Sequence, residues 1–428
     1  MARWRQRSQD GRTRPPIPDP LLTPDPLTLE SLAGAERGDQ RLGGQLAPAR
    51  PSTDPAAGWG VGPGWLARGS RAALLCIVVG LLCLLGLMMV LSASSVEALH
   101  SYGGAWLFFQ RQVLWLALGG IALVVASRVD YHLWRRLARP GLLLCLVLLV
   151  LVLVPGVGLT AGGSTRWLGW GPLVIQPSEL AKLVVLVFAA DLLARRADRV
   201  GERGAIVPPL LLITGAMGAL IMAQPDMGTT MILTLIALTV VFVGGLPILR
   251  TAALVLGTAC AGLIMGLLEG YRRDRLFSFL DPWADAGNTG YQVAQSLVAL
   301  GSGGVTGVGL GASRAKWGFL PNAHTDFIFA IIGEELGLLG TLVVVGLFVA
   351  FTALGIGVAF RAPDRFGSLV AAGVTAWVAG QALINLGAVT GRLPVTGVPL
   401  PFVSFGGSAL VVTMLGVGVL VNVARTKP

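Results

Sequence analysis

The sequence predicts an all-α polytopic membrane protein with about ten transmembrane helices. Of its 428 residues, 54% are hydrophobic and only 13% are charged, and the mean hydropathy is +0.74. Soluble domains average about 45–50% apolar and about 25% charged residues, so a soluble fold is excluded. Apolar runs long enough to cross about 30 Å of hydrocarbon occur at 72–91, 107–126, 141–157, 180–193, 206–222, 228–243, 252–268, 327–356, 369–386 and 409–423.

The basic residues predict which side of the membrane each loop faces, because short loops rich in Arg and Lys stay in the cytoplasm. Ten spans place both chain termini on one side, and the loops of that side carry Arg128, Arg135, Arg136, Arg139, Arg195, Arg196, Arg199, Arg203, Arg250, Arg361, Arg365, Arg425 and Lys427. We therefore expect both termini in the cytoplasm. The net charge of +10 then reports topology, and no nucleic-acid partner is expected.

Three regions flank or interrupt the spans. Residues 1–70 are rich in Pro, Gly, Arg and Asp without hydrophobic periodicity, which predicts a disordered cytoplasmic tail before the membrane domain at 71–424. Residues 425–428 are predicted to be a cytoplasmic C-terminus. Between spans seven and eight, residues 269–326 form a predicted extracytoplasmic loop, longer than the roughly 12–15 residues beyond which loops are usually functional or disordered.

This long loop contains two patterned segments. Residues 291–300 have a helical pattern in which Val293, Leu297 and Leu300 share one face, with Gln292 and Ser296 near the other. We expect this helix to lie in the membrane interface. The glycine-rich residues 301–311 that follow are either a flexible connection or a place where backbone approaches a lipid-linked pyrophosphate.

Three carboxylates lie at the start and in the wall of span eight, at Asp326, Glu334 and Glu335. A charged side chain at mid-bilayer costs at least roughly 2.5–3.5 kcal/mol, so we expect at least one to be functional. Asp326 could cap the helix N-terminus or act as a general base at the lipid–water boundary, and the two roles are compatible. Glu334 and Glu335 lie about 80° and about 180° around the helix from Asp326. They are therefore expected to form polar networks between spans.

Other ionisable residues begin spans or lie before them. Glu179 and Lys182 are three residues apart, a spacing that predicts an ion pair. Alternatively, Lys182 and Arg166 hold pyrophosphate oxygens. Asp226, at the start of span six, is either a helix cap or part of the same cavity. No metal site is recognisable, because His324 lacks a second ligand at metal spacing, but a divalent cation (Mg²⁺ or Mn²⁺) bridging a carboxylate and substrate phosphates stays possible.

Several motifs, all placed in or beside the predicted outer loops, together carry a family resemblance. They are Arg166-Trp167, Gln176-Pro177-Ser178-Glu179 with Lys182, Gln224-Pro225-Asp226, Gly290-Tyr291-Gln292, Gln295-Ser296, His324-Thr325-Asp326-Phe327-Ile328-Phe329, Glu334-Glu335-Leu336-Gly337, and Pro399-Leu400-Pro401 with Ser404-Phe405-Gly406-Gly407-Ser408. With them the chain resembles the SEDS family of shape, elongation, division and sporulation proteins from about Arg71 to Val423. It looks more like the FtsW-type division branch than the RodA-type elongation branch. Phe405 and Asn322 depart from the family pattern, which often has Tyr and Glu there.

The resemblance implies a peptidoglycan glycosyltransferase of the bacterial cytoplasmic membrane that polymerises lipid II into β-1,4 glycan on the outer face. It also implies a class B penicillin-binding protein transpeptidase and other divisome proteins as partners at the division septum. Asp326 is the expected catalytic residue, and the expected substrate-binding residues are Arg166, Glu179, Lys182, Asp226, Gln292 and His324. Two alternatives remain, a lipid II flippase or transporter and a non-catalytic divisome scaffold.

Overall fold

The structure is a computed structural model that describes residues 68–102, 104–161, 163–170, 173–199, 206–268, 270, 273 and 279–426. Nearly all of the predicted N-terminal tail, and the last two residues of the chain, lie outside these ranges. The described residues lie almost entirely within the membrane domain that the sequence predicts at 71–424.

Helices account for most of the described chain. They are α1 (Arg68–Tyr102), α2 (Leu107–Arg128), α3 (His132–Leu153), α4 (Pro177–Arg195), α5 (Val207–Ala223), α6 (Met227–Val243), α7 (Ile248–Leu268), α8 (Tyr291–Ser302), α9 (Ile328–Ala359), α10 (Arg365–Val389) and α11 (Gly407–Arg425). Seven of these are long and apolar enough to cross a membrane, namely α1, α2, α3, α7, α9, α10 and α11. The all-α polytopic prediction is therefore confirmed.

The remaining three predicted spans coincide with helices that are less suited to crossing a membrane, because they are short or contain charged residues. Helices α5 and α6 are apolar but have only 17 residues each, the lower limit of about 17 for a transmembrane helix. Helix α4 has 19 residues and contains Glu179, Lys182, Asp191 and Arg195. Its charges are tolerated because they are paired, as Arg135 and Arg195 both bond Asp191 at 2.6 and 2.7 Å.

Successive spans run in opposite directions, so α2, α4, α6, α9 and α11 begin at one end of the bundle. We call this the loop-rich end. A small antiparallel sheet, which the sequence did not predict, joins α3 to α4 there. It has the order β1 (Leu159–Ala161), β2 (Ser164–Trp170) and β3 (Leu173–Ile175). Strand β2 packs against α3 and α4, and its Arg166 side chain reaches the turn before α6.

Helix α9 is not one straight span. Gly337 adopts φ 67° and ψ −162°, which ends one helical segment and starts another. At roughly 1.5 Å per residue, the 32 residues would be about 48 Å long, whereas residues 338–359 alone are about 33 Å and suffice to cross the membrane. The prediction of a single span at 327–356 is therefore wrong at its start, because residues 328–336 form a separate segment.

The break places Glu334 and Glu335 at the loop-rich end and not inside the span wall. Glu335 accepts hydrogen bonds from the Ser92 hydroxyl on α1 at 2.6 and 2.8 Å, and the Lys316 ammonium is 3.5 Å away. Glu334 accepts from the Arg314 amide at 2.9 Å. The predicted polar network is confirmed, although it joins two spans to the long loop.

The glycine-rich segment packs its backbone into the α9 break. The amides of Val308 and Gly309 donate to the carbonyls of Glu334 and Glu335 at 2.9 and 3.1 Å, and the Leu338 amide donates to the Gly304 carbonyl at 3.0 Å. A Cβ added at Gly307 would lie 2.1 Å from the Glu335 carbonyl oxygen. Close backbone packing therefore accounts for Gly303 and Gly307, whereas a Cβ added at Gly301, Gly304, Gly309 or Gly311 would meet no atom within 4 Å.

We expect Gly307→Ala to lower the thermal stability of the detergent-solubilised protein. An alanine at position 307 has two costs in folding free energy. Its left-handed backbone at φ 82° costs about 1–2 kcal/mol, and overpacking costs about 1–3 kcal/mol. Gly304→Ala is the matched control, because Gly304 has φ 55° but no atom within 4 Å of an added Cβ. Equal melting temperatures for the two variants would contradict the packing role.

Helix α8 packs against α9 and α10. The Ser296 hydroxyl is fully buried and donates to the Val389 carbonyl of α10 at 2.8 Å, whereas Val298 is exposed. Ser296, predicted near the face opposite Val293, Leu297 and Leu300, is thus buried because its hydroxyl satisfies a helix-terminal carbonyl. Gln292 is half-buried in the first turn of the same helix.

Candidate active-site cavity

A cavity of about 1440 Å³ opens among the helix beginnings at the loop-rich end. Residues from β2, from the starts of α2, α4, α6 and α11, and from the loops before α9 and α11 surround it. Its charged and polar lining consists mainly of Arg111, Arg166, Gln176, Glu179, Asp226, Asn322, Thr325, Asp326, Thr396 and Ser408. Helix N-termini carry positive partial charge, and together with Arg111 and Arg166 they offset the three carboxylates of the lining, so an anionic group finds cationic partners in the cavity.

The rest of the cavity wall is apolar and extends along α6 and α7. Leu235, Leu238, Val255 and Leu263 belong to this part of the lining. Leu238 lies about 18 Å from Asp226 along α6 at roughly 1.5 Å per residue. The cavity therefore joins a charged mouth to an apolar channel that reaches into the depth of the membrane, a shape that suits an anionic headgroup on a hydrocarbon chain.

Asp326 is half-buried and lines the cavity immediately before α9. The helix begins at Ile328 with Phe327 in the N-cap position, so Asp326 lies one residue outside the place where a capping side chain acts. Its Oδ2 atom would be 3.6 Å from a Cβ added at Gly397. The carboxylate thus faces the loop that follows α10, across the cavity mouth.

Asp226 is both a helix cap and a part of the cavity wall. It occupies the N-cap position of α6, where its carboxylate accepts from the Thr229 amide at 3.1 Å and from the Thr229 hydroxyl at 2.8 Å. The Gln176 amide group donates to it at 3.0 Å. The Ser178 hydroxyl donates as well, at 3.3 Å, so four donors hold this carboxylate as an acceptor.

Arg166 supports the turn that presents Asp226. From β2, its Nε donates to the Gln224 carbonyl at 2.9 Å, and one terminal nitrogen donates to the Pro225 carbonyl. Its guanidinium also lines the cavity, and the N–H groups not used in these bonds can bind a ligand oxygen. Arg166 therefore combines a structural role with a cationic surface toward the cavity.

Glu179 and Lys182 form a buried ion pair, as their spacing predicted. The Lys182 ammonium lies 2.7 Å from Glu179 Oε2, and both side chains are almost fully buried. Lys182 also donates to Gln381 Oε1 at 3.1 Å and lies 5.1 Å from the ring centroid of Trp377. Glu179 lines the cavity, but Lys182 lies behind it and is not part of the lining.

The structure does not bring His324 or Gln292 to the cavity wall. His324 is buried, with its Nδ1 atom 3.2 Å from a Glu97 carboxylate oxygen and its ring 4.8 Å from that of Phe108. Burial holds the pKa of His324 below its ordinary value, although the charge of Glu97 opposes this shift. Substrate binding by these two residues and by Lys182 stays a prediction that the cavity geometry does not favour.

Arg111 is a cavity residue that the sequence reasoning missed. It lies in the first turns of α2, is exposed, and lines the cavity together with Trp115 one turn later. Its position was the available signal. Arg111 adds positive charge to the end of span two that the charge rule predicts to face outward, where that rule expects few basic residues. It supplies the cavity with a second cation besides Arg166.

A metal ion would need a site that the described protein residues do not form by themselves. No group of three or more His, Cys, Asp or Glu side chains suited to a metal occurs in the described ranges. A divalent cation held between one cavity carboxylate and the phosphates of a ligand needs only Asp226 or Asp326 from the protein.

The known proteins that resemble this chain point to one family. A family described as cell cycle protein, comprising FtsW, RodA and SpoVE, matches residues 72–428. The chain is 43% identical over 391 residues to a probable peptidoglycan glycosyltransferase FtsW of Mycobacterium tuberculosis, covering 91% of this chain and 74% of that protein. It is 42% identical over 353 residues to stage V sporulation protein E of Bacillus subtilis, covering 82% of this chain and 96% of that protein.

Solved structures agree with this fold. A chain from work on structural coordination of polymerization and crosslinking by a peptidoglycan synthase complex superposes with a TM-score of 0.68 at 30% identity, covering 82% of this chain and 96% of that chain. The rod shape determining protein RodA of Thermus thermophilus superposes with a TM-score of 0.62 at 29% identity, covering 85% of this chain and 98% of that one.

Proposed function

Because this chain belongs to the FtsW, RodA and SpoVE family of cell cycle proteins, we propose that it is a peptidoglycan glycosyltransferase that polymerises lipid II during septal cell-wall synthesis. The observation that carries the proposal is the position of the Asp326 carboxylate at the charged mouth of a cavity whose other end is an apolar channel. Lipid II has the matching form, since a disaccharide-peptide and a pyrophosphate are attached to a long hydrocarbon chain.

In the proposed reaction, Asp326 removes the proton from the 4-hydroxyl of the GlcNAc on an acceptor lipid II. The hydroxyl oxygen attacks the anomeric carbon of the donor MurNAc, and the bond from that carbon to the pyrophosphate oxygen breaks. Undecaprenyl pyrophosphate leaves, the proton stays on Asp326 until solvent takes it, and the α-linked donor becomes a β-1,4 glycan with inversion. Arg166 and Arg111 stabilise the charge that develops on the leaving pyrophosphate.

The setting of this reaction is also part of the proposal. We place the protein in the bacterial cytoplasmic membrane at the division septum, with both termini in the cytoplasm and the cavity open to the outer face. The charge distribution along the loops supports this orientation. We propose lipid II as the substrate and a class B penicillin-binding protein, which cross-links the new strands, as the partner, together with other divisome proteins.

The direct test uses the full chain co-purified with its cognate class B penicillin-binding protein and supplied with fluorescent lipid II. We expect glycan strands that separate by length on a gel and that a muramidase digests. Absence of polymer, combined with movement of the fluorescent lipid across proteoliposomes, would instead support a transporter. Absence of both activities in an assembled complex would support a scaffold.

We expect Arg111→Ala to reduce kcat/KM for lipid II by about 10- to 100-fold. This is the loss of a charge-assisted hydrogen bond of roughly 1.5–3 kcal/mol between Arg111 and a pyrophosphate oxygen. Arg128→Ala is the control, because Arg128 is exposed at the other end of the same helix. Equal kinetics for the two variants in the polymerisation assay would exclude the proposed role of Arg111.

A further inference from the structure

Three successive backbone carbonyls that end at Asp326 all accept hydrogen bonds from the α10–α11 region. The Phe405 amide donates to the His324 carbonyl at 3.0 Å, and the Ser404 hydroxyl donates to the Thr325 carbonyl at 2.6 Å. The Asn385 side-chain amide donates to the Asp326 carbonyl at 2.7 Å. We call these three donors the carbonyl clamp.

The side chains of the clamp are themselves fixed. Asn385 is buried on α10 and uses its amide nitrogen for a second bond, to the Val398 carbonyl at 2.8 Å. Ser404 is buried as well, and its oxygen accepts from the Leu400 amide at 2.8 Å. One turn before Asn385, Gln381 donates to the Pro399 carbonyl at 2.9 Å. The clamp therefore belongs to a hydrogen-bonded unit that is anchored on α10.

The clamp holds both sides of the cavity mouth. On one side is the backbone of residues 324–326, which lies outside the regular helix that begins at Ile328. On the other side is the 394–399 loop, in which Gly397 faces the Asp326 carboxylate. Since Asn385 bonds Asp326 and Val398 with one nitrogen, it sets the separation of the two sides directly.

We propose that Asn385 and Ser404 are positioning residues that hold the Asp326 carboxylate where it meets the acceptor hydroxyl. This inference rests on the proposed glycosyltransferase function. Neither side chain touches the reacting atoms, so both act by fixing the position of the Asp326 carboxylate. A misplacement of about 1 Å in a reacting group costs on the order of 10²-fold in rate. Asn385 lies on transmembrane helix α10, and a donor on a helix keeps such a loop carboxylate in place more accurately than the loop alone. Ser404 lies in the loop before α11, where its bond from the Leu400 amide fixes it.

The test compares Asn385→Ala, Ser404→Ala and Ser404→Thr in the full chain with its penicillin-binding protein. For the two alanine variants we expect kcat for lipid II polymerisation to fall about 10- to 100-fold, with KM within about twofold of wild type. Ser404→Thr keeps the hydroxyl donor and is expected to recover most of kcat. Ser296→Ala is the matched control, because it removes a buried hydroxyl that bonds α10 but not residues 324–326.

Three results would overturn the inference. One is a kcat for Asn385→Ala and Ser404→Ala equal to that of Ser296→Ala. Another is a fall in kcat for Ser404→Thr as large as that for Ser404→Ala, which would show that packing and not the hydroxyl is limiting. The third is failure of both alanine variants to yield folded complex. A wild-type complex without polymerase activity would instead refute the proposed function itself, so the two failures are distinguishable.

Discussion

Asp326→Asn is expected to abolish glycan polymerisation while the protein still folds and binds its penicillin-binding protein. The amide has the same shape as the carboxylate, so the packing against the Gly397 loop is preserved. It cannot take up the proton of the attacking hydroxyl, and a positioned general base contributes about 10²–10⁴-fold to rate. The expected result is therefore a fall in kcat of at least about 10²-fold with little change in melting temperature.

The measurement is conversion of fluorescent lipid II by the co-purified complex, with Asp281→Asn as the control. Asp281 lies in the same long loop, is exposed, and is outside the cavity lining. Asp281→Asn removes one negative charge, as Asp326→Asn does, so a general effect of charge on substrate attraction would appear in both variants. Wild-type rates from Asp326→Asn would show that this carboxylate is not the base, and Asp226 and Glu179 would become the candidates.

Lys182→Met is expected to destabilise the protein by about 3–5 kcal/mol, the usual cost of leaving one charge of a buried pair without its partner. The unpaired charge is that of Glu179, whose side chain is 4% exposed. We expect a markedly lower melting temperature in detergent. The double variant Glu179→Gln with Lys182→Met should recover much of this loss, because no buried charge then remains at the site.

Lys316→Met is the matched comparison, since Lys316 is also a buried lysine paired with a glutamate, Glu335, at 3.5 Å. Its loss should cost less, because Glu335 keeps two hydrogen-bond contacts from Ser92. A Lys182→Met variant with a wild-type melting temperature and a raised KM for lipid II would contradict the structural role. It would support the substrate-binding role that the sequence suggested.

Hydropathy was sufficient to locate the spans but not their internal geometry. The predicted span at 206–222 lies close to α5 at Val207–Ala223, and the one at 369–386 lies within α10 at Arg365–Val389. The agreement arises because a run of apolar residues is about as long as the hydrocarbon core of the membrane is thick. The break at Gly337 was not predicted, because the two acidic residues before it, Glu334 and Glu335, also fit an unbroken helix with polar networks between spans. A left-handed glycine there becomes necessary only when residues 303–309 pack against it.

The residues of the candidate site could likewise be predicted only in part. The acidic residues at span starts, Asp226 and Asp326, were found because a charge beside an apolar run is conspicuous. The spacing of Glu179 and Lys182 predicted their pairing, but it could not show which of the two faces the cavity. Ser404 was noticed only as part of a motif and Asn385 not at all, since their proposed roles depend on bonds to carbonyls 79 and 59 positions away in the sequence.

The most direct test of the central claim is a cryo-electron microscopy structure of the Asp326→Asn variant with its penicillin-binding protein and bound lipid II. We expect the side-chain amide of residue 326 within hydrogen-bond reach, about 2.6–3.2 Å, of the acceptor 4-hydroxyl, with the hydrocarbon chain between α6 and α7. An acceptor hydroxyl placed beside Asp226 or Glu179, beyond the reach of residue 326, would contradict it.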